Sequence, residues 1–140
     1  MIWSIYDFTD TRNESVIQKW ADDIRLPERE RGRLDLKVDM LSKNGETLSH
    51  QLLAGTKSKH IKKIKVKGNI QLRPLLCRGP ISMEQEFTFL LGAVERDWEL
   101  EPKDALKRAE DNRQVLLRDH TRRTEYEPLS RKIEEEPEEE

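Results

Sequence analysis

Apolar residues recur along this chain in two rhythms, and the switches between them mark out its elements. Ile2, Trp3, Ile5, Tyr6 and Phe8 make a short aromatic and β-branched run interrupted by Asp7 and closed by Asp10, which predicts a first strand. Thr9 to Asn13 turns the chain, and Asn13 is placed to cap a helix. Val16, Ile17, Trp20, Ala21 and Ile24 repeat at helical spacing, predicting a helix over about Glu14 to Arg25. Leu26-Pro27 ends it. Pro27 suits the first turn of a second helix, on which Leu34, Val38 and Leu41 share a face before Gly45 stops it.

Thr47 to Lys59 has little period and reads as a loop anchored by Leu48, Leu52 and Leu53. Lys63-Ile64-Lys65-Val66-Lys67 then alternates with period two, Gly68-Asn69 has turn chemistry, and Ile70-Gln71-Leu72-Arg73 alternates again, so a hairpin is expected. A two-residue loop would set Lys67 opposite Ile70 and mix ammonium groups with core residues. A three-residue loop instead pairs Val66 with Ile70 and Ile64 with Leu72 on the buried face, and Lys65 with Gln71 and Lys63 with Arg73 on the other. Pro74 cannot donate to a ladder, so a bulge or an edge is expected there. Arg78-Gly79-Pro80 reads as a turn, and Phe87 to Val94 is apolar enough for a central fourth strand. Pro102 opens a last helix with Ala105, Leu106, Ala109, Leu116 and Leu117 on one stripe, and with Glu101 and Asp104 at its positive end. The expected order is β-α-α-β-β-β-α. This is an α+β domain over 1–118, an antiparallel four-stranded sheet with an N-terminal helical hairpin and a C-terminal helix, followed by a charged, disordered acidic tail over 119–140.

The 140 residues are 39% charged and 34% hydrophobic, with a mean hydropathy of −0.89, which allows one lean core under an ionic surface. No apolar stretch reaches membrane-spanning length, and Met1 to Asp10 has neither a basic start nor an apolar segment typical of a leader, so a cytoplasmic location without membrane association is expected. A single cysteine and three scattered histidines offer neither an intrachain disulfide nor a zinc pattern; no metal and no cofactor are expected. The formal net charge of −2 conceals strong sorting, because Thr47 to Met83 holds eight basic side chains and no acidic one, whereas Glu134 to Glu140 is a polyglutamate run broken only by Pro137. A cationic block of this kind repels itself, and a polyanion would relieve it.

On the expected register Lys63, Lys65 and Arg73 share one sheet face, Lys67 sits at its rim, and Arg78 follows the next turn. Five cations on rigid strands suit an RNA backbone. Were the site catalytic, the metal-free route is attack of a 2′-hydroxyl on the adjacent phosphate. Lys63 or Lys65 would serve as base, and Arg73 and Arg78 would stabilise the phosphorane charge. The bland alternative is a solubilising face, or alternating lysines that guard a strand edge. His120 and Tyr126 are further acid or base candidates, but both follow the last helix in a charged segment expected to be mobile. Cys77 reads as a packed strand residue, and Trp3 and Trp20 as core. Trp98, between Asp97 and Glu99, is the aromatic best placed to stay accessible to an interface or a base, with packing on the last helix as the simpler expectation.

The layout resembles the RelE/ParE/HigB superfamily of type II toxin-antitoxin toxins, especially its phage-derived branch. The likeness covers about Ile2 to Arg118, through the segment Ile64 to Pro80, the segment Phe87 to Arg96, and Pro102 followed by the Ala105 to Ala109 helix. It implies a toxin that inhibits translation by cutting mRNA at the ribosome and is neutralised by a cognate antitoxin protein. By position it implies catalytic roles for Lys63, Lys65, Arg73 and Arg96, with Lys67 and Arg78 binding RNA. The alternative is a non-catalytic binding protein on the same scaffold, a gyrase-directed toxin or a phage-type accessory factor. The sequence departs from the family in Glu95-Arg96, where a Lys-Lys pair is common, and in Glu99-Leu-Glu-Pro102, where another Lys precedes the proline. Tyr126 also lies too far past the helix to match the family's C-terminal tyrosine. The acidic tail has the charge to fold back on the lysine face.

Overall fold

The computed structural model describes residues 2–48 and 51–130, so the polyglutamate run Glu134 to Glu140 and any fold-back of it lie outside the described residues. Strand β1 (Ser4–Phe8) leads into helices α1 (Val16–Asp23) and α2 (Glu28–Asn44), and a 3-10 turn at Gly45–Thr47 follows. Then come β2 (Leu53–Gly55), β3 (Lys62–Ile64), β4 (Leu75–Arg78), β5 (Glu86–Leu91), β6 (Val94–Arg96), β7 (Glu99–Glu101), α3 (Ala105–Arg118) and β8 (Arg123–Glu125). The class is α+β as expected, but the sheet is not the expected four-stranded antiparallel one. Among the described residues six strands lie in the order β2-β3-β4-β5-β1-β8, and β6-β7 forms a separate ribbon.

The sheet is mixed because β1 runs parallel to β5, with Ile5 beside Phe87 and Asp7 beside Phe89. The reason is connection length. Strands joined by tight turns must be antiparallel, whereas the long path from β1 to β5 through both helices leaves either direction open. All six residues of β5 are buried, so it needs a neighbour on each edge, and β4 and β1 supply them.

Helix α1 starts later than expected. Ser15, not Asn13, is its cap, its hydroxyl accepting from the Gln18 backbone N–H at 3.2 Å, while Asn13 sits in the preceding turn at φ 65°. At the end of α2, Gly45 has φ 55° and lies against the Trp3 ring, so a side chain there would be both strained and obstructed. The Trp20 ring covers Gly92 in the same way.

Layers cover both sheet faces. On one, α1 and α2 bring Ile17, Ala21, Leu34, Val38 and Leu41 onto Ile64, Val66, Leu72, Leu76, Phe87 and Phe89. On the other, α3 brings Ala105, Ala109 and Leu116 onto Leu75, Cys77, Leu90 and Leu91. Successive residues Leu90 and Leu91 reach the same layer because the β4-β5 register shifts between Leu75 and Leu76. The bulge expected in the strand that carries Pro74 therefore lies on its neighbour, with Leu90 of β5 as the extra residue, and β4 is interior rather than an edge.

The segment after Arg118, expected to be a mobile tail, is built into the fold as far as Ser130. Strand β8 pairs antiparallel with β1, and Tyr126 is half-buried against the core, with its hydroxyl donating to Asp35 of α2 at 2.6 Å. Asp35 also accepts from the Leu129 and Ser130 backbone N–H groups and from the Ser130 hydroxyl at 2.8, 2.9 and 2.5 Å. Burial and the neighbouring Asp35 carboxylate both push the Tyr126 phenol above its ordinary value. Tyr126 is thus a clasp rather than a catalytic group, and His120 lies exposed beyond α3. Among the described residues no helix is long and apolar enough to cross a membrane.

Candidate nucleic-acid interface

The hairpin partition expected from the sequence holds, but its register does not. Lys63 pairs with Leu75 and Lys62 with Leu76, and Val66 bridges Leu72. The loop is therefore five residues, Lys67 to Gln71, and every expected pairing slips by two. A slip of two keeps parity. Ile64, Val66 and Leu72 stay in the core, and Lys65 comes opposite Arg73 on the α3-side face that also carries Lys63.

The cations expected to converge there are only partly assembled. Arg73 is 6% exposed, and its Nε donates to Glu95 Oε1 at 3.0 Å and its Nη1 to the Leu72 carbonyl at 2.8 Å. Arg78 is five positions beyond Arg73, an odd step along the strand, and so reaches the opposite face. There it stacks over Trp3 at 5.6 Å, donates to the Met83 carbonyl and shares Glu46 with Lys62. Arg96 lies on the β6-β7 ribbon, with Nε 3.4 Å from Glu101. Lys67 is exposed in the hairpin loop. Cys77 is buried, and burial pushes its thiol up to about 12, which removes it as a nucleophile.

What the fold assembles instead is an open groove of about 730 Å³ between the β2-β3 edge, the start of α3 and the β6-β7 ribbon. Lys63 is the one expected site residue that lines it; Lys57, Lys103, Lys107 and Trp98 join it from distant parts of the sequence. The Lys57 loop is held by the Thr56 hydroxyl, which donates to the Ile61 carbonyl at 2.8 Å, and by the Ser58 hydroxyl, which donates to Glu110 of α3. Lys103 and Lys107 flank the N-terminus of α3, where the helix dipole adds to their positive potential.

Charge in the groove is not balanced out. Among the described residues no carboxylate pairs with Lys57, Lys63 or Lys103; Lys107 meets Asp111 at 3.1 Å in an exposed pair of the kind that contributes little. Of the two lining acids, Asp104 is 4.0 Å from Arg108. No protein-family model, curated protein or solved structure matches the chain.

Trp98 stands at the tip of the β6-β7 ribbon and is 92% exposed, so the expected packing on α3 is absent. Arg96 pairs with Glu99, leaving Asp97-Trp98 as a two-residue turn with φ of 51° and 68°. That turn shape favours Asn-Gly, and a bulky side chain there costs roughly 1 to 2 kcal/mol. The indole borders the lysine groove on one side and, on the other, a smaller hollow lined by Gln71, Arg73 and Glu95. Sequence reading singled out Trp98 from its charged neighbours. It had no signal for Lys57, Lys103 and Lys107, which only tertiary structure brings together.

Proposed function

We propose that this protein is an RNA-directed toxin, the role that its sequence resemblance implies, and that the groove beside Trp98 holds the backbone of translated mRNA. The observation that carries this reading is the convergence of Lys57, Lys63, Lys103 and Lys107 from three separate segments on one open groove. Lysines held together on strand, loop and helix repel one another, and phosphates relieve that repulsion while releasing counterions. In the cleaving form, these ammonium groups and the α3 N-terminus stabilise charge on the phosphorane. Glu99, which lines the groove, is the carboxylate that would accept the 2′-hydroxyl proton as the 2′-oxygen bonds to phosphorus, while one of the ammonium groups would protonate the 5′-oxygen as its bond to phosphorus breaks, leaving a 2′,3′-cyclic phosphate. A cognate antitoxin would neutralise the protein by covering the groove with acidic surface, and a cytoplasmic location follows from this role.

The second reading is binding without cleavage, either of RNA or of a target such as gyrase. It is favoured by the ion pairs of Arg73 with Glu95 and of Arg96 with Glu101, which occupy two of the four cations expected to be catalytic. Induced expression with 5′-end mapping of cellular RNA separates the two. Growth arrest with cuts carrying cyclic phosphate supports the nuclease, arrest with intact mRNA supports binding alone, and no arrest removes the toxin reading.

Affinity has its own test. The triple variant Lys57→Ala, Lys63→Ala, Lys103→Ala should flatten the salt dependence of RNA binding by about 2 in logarithmic slope, since each contacted phosphate of a single strand contributes about 0.7. Binding and slope equal to those of the unaltered protein would place the RNA elsewhere.

A further inference from the structure

We propose that Trp98 is a stacking platform for an unpaired nucleobase, so that the groove selects single-stranded over duplex RNA. This rests on the groove reading above and adds the substrate class to it. Three observations converge on the indole. It is 92% exposed, so no packing among the described residues explains its size. It occupies a left-handed turn position at φ 68°, where glycine would be free of strain, so the turn itself gives no reason for a tryptophan. And it adjoins lysines rather than apolar side chains: Lys57, Lys63, Lys103 and Lys107 share its groove, with only Leu100 and Leu106 among the large apolar residues there.

An isolated aromatic set among ammonium groups is the combination that grips single strands. Phosphates follow the cations, and a base lies flat on the ring whatever its identity. A protein-binding patch would instead surround its tryptophan with apolar neighbours to be buried with it. In a duplex, every internal base is already stacked and paired, and one indole on a ribbon tip cannot reach its face without unstacking it. Arg73 and Gln71, in the hollow across the indole, sit where the next nucleotide would leave the ring. Arg73 is already bonded to Glu95, so the lysine side carries the phosphates.

The test compares fluorescence anisotropy of three labelled ligands: an oligoadenylate of eight nucleotides, an abasic ribose-phosphate oligomer of equal length and charge, and an eight-base-pair RNA duplex. The protein should bind oligoadenylate about 10- to 100-fold more tightly than the abasic oligomer. It should also prefer oligoadenylate to the duplex despite the duplex's greater charge. Trp98→Ala should bring oligoadenylate down to the abasic affinity while leaving abasic binding within about twofold, and Trp98→Phe should restore much of the difference. The ring is exposed, so neither change should disturb the fold, which circular dichroism checks.

Equal affinity for oligoadenylate and abasic oligomer in the unaltered protein overturns the stacking role while leaving the phosphate groove intact. So does a preference that survives Trp98→Ala. Binding of none of the three ligands removes the groove reading and the stacking role together.

Discussion

Asp7→Asn should leave the protein more stable than the unaltered chain at pH 8 and about equal to it near pH 4, with the gap opening to about 4 kcal/mol. Asp7 is 1% exposed on the interior strand β1, facing Phe89 on one side and Thr124 on the other. Its Oδ2 accepts from the Ser15 hydroxyl at 2.9 Å, but its Oδ1 has no hydrogen-bond partner among the described residues. Burial therefore raises its pKa from 3.8 to about 7. The Ser15 hydrogen bond opposes the rise, and the nearby Glu127 carboxylate adds to it. Because the folded value is raised, the folded form keeps a proton that the unfolded chain has lost. The stabilisation is complete below about pH 4, is lost progressively as pH climbs, and is gone above about 7. Asparagine fills the same space, cannot ionise, and has a carbonyl for Ser15. Urea unfolding of both proteins from pH 4 to pH 8 reads the difference; parallel curves would mean that Asp7 is hydrated in solution.

Removing the partner of Arg73 should have an effect of similar size. Glu95→Ala leaves a guanidinium, itself 6% exposed, with only neutral acceptors at the Leu72 carbonyl and the Gln71 side chain. Breaking a buried pair from one side costs about 3 to 5 kcal/mol, and the lower end is expected here because Glu95 reaches water. Loss of activity in Arg73→Ala would therefore report on folding before chemistry, and a denaturation curve must accompany any such assay. A loss below about 1 kcal/mol in Glu95→Ala would show that Arg73 reorients into solvent and is available to a ligand after all.

The particular elements show what was legible in the chain. The helical stripes of Val16 to Ile24, of Leu34, Val38 and Leu41, and of Ala105 to Leu116 are strong periods, and each became a helix. Parity in the Lys63 to Arg73 hairpin was readable because the apolar residues fix which face is inward. Register was not, because a five-residue loop serves that parity as well as a three-residue one. The direction of β1 depends on a partner far along the chain. Strand β8 was hidden by its composition: Arg122 stacks over Phe8 at 5.0 Å and Arg123 over Tyr6 at 3.8 Å, so side chains that read as solvated cover aromatic rings.

The site followed the same division. Lys63 was placed correctly by alternation, and Arg78 was misplaced by overlooking an odd step. The groove itself arises where a loop after β2, the start of α3 and a ribbon after β5 come together, and no local pattern encodes that meeting. Trp98 was half legible. Its two acidic neighbours marked it as the aromatic best placed to stay accessible, but the simpler expectation, packing on the last helix, was wrong, because the β6-β7 turn holds the ring clear of α3.

The most direct measurement is an NMR titration of the isotopically labelled protein with a short oligoadenylate, following the Trp98 indole N–H and the lysine side chains. The lysine groove being the binding surface, the Trp98 signal should shift together with those of Lys57, Lys63, Lys103 and Lys107, with the same saturation point. Shifts confined to residues outside the groove, such as Arg12 before α1 and Lys19 on it, or no shift at all in low salt, would contradict it.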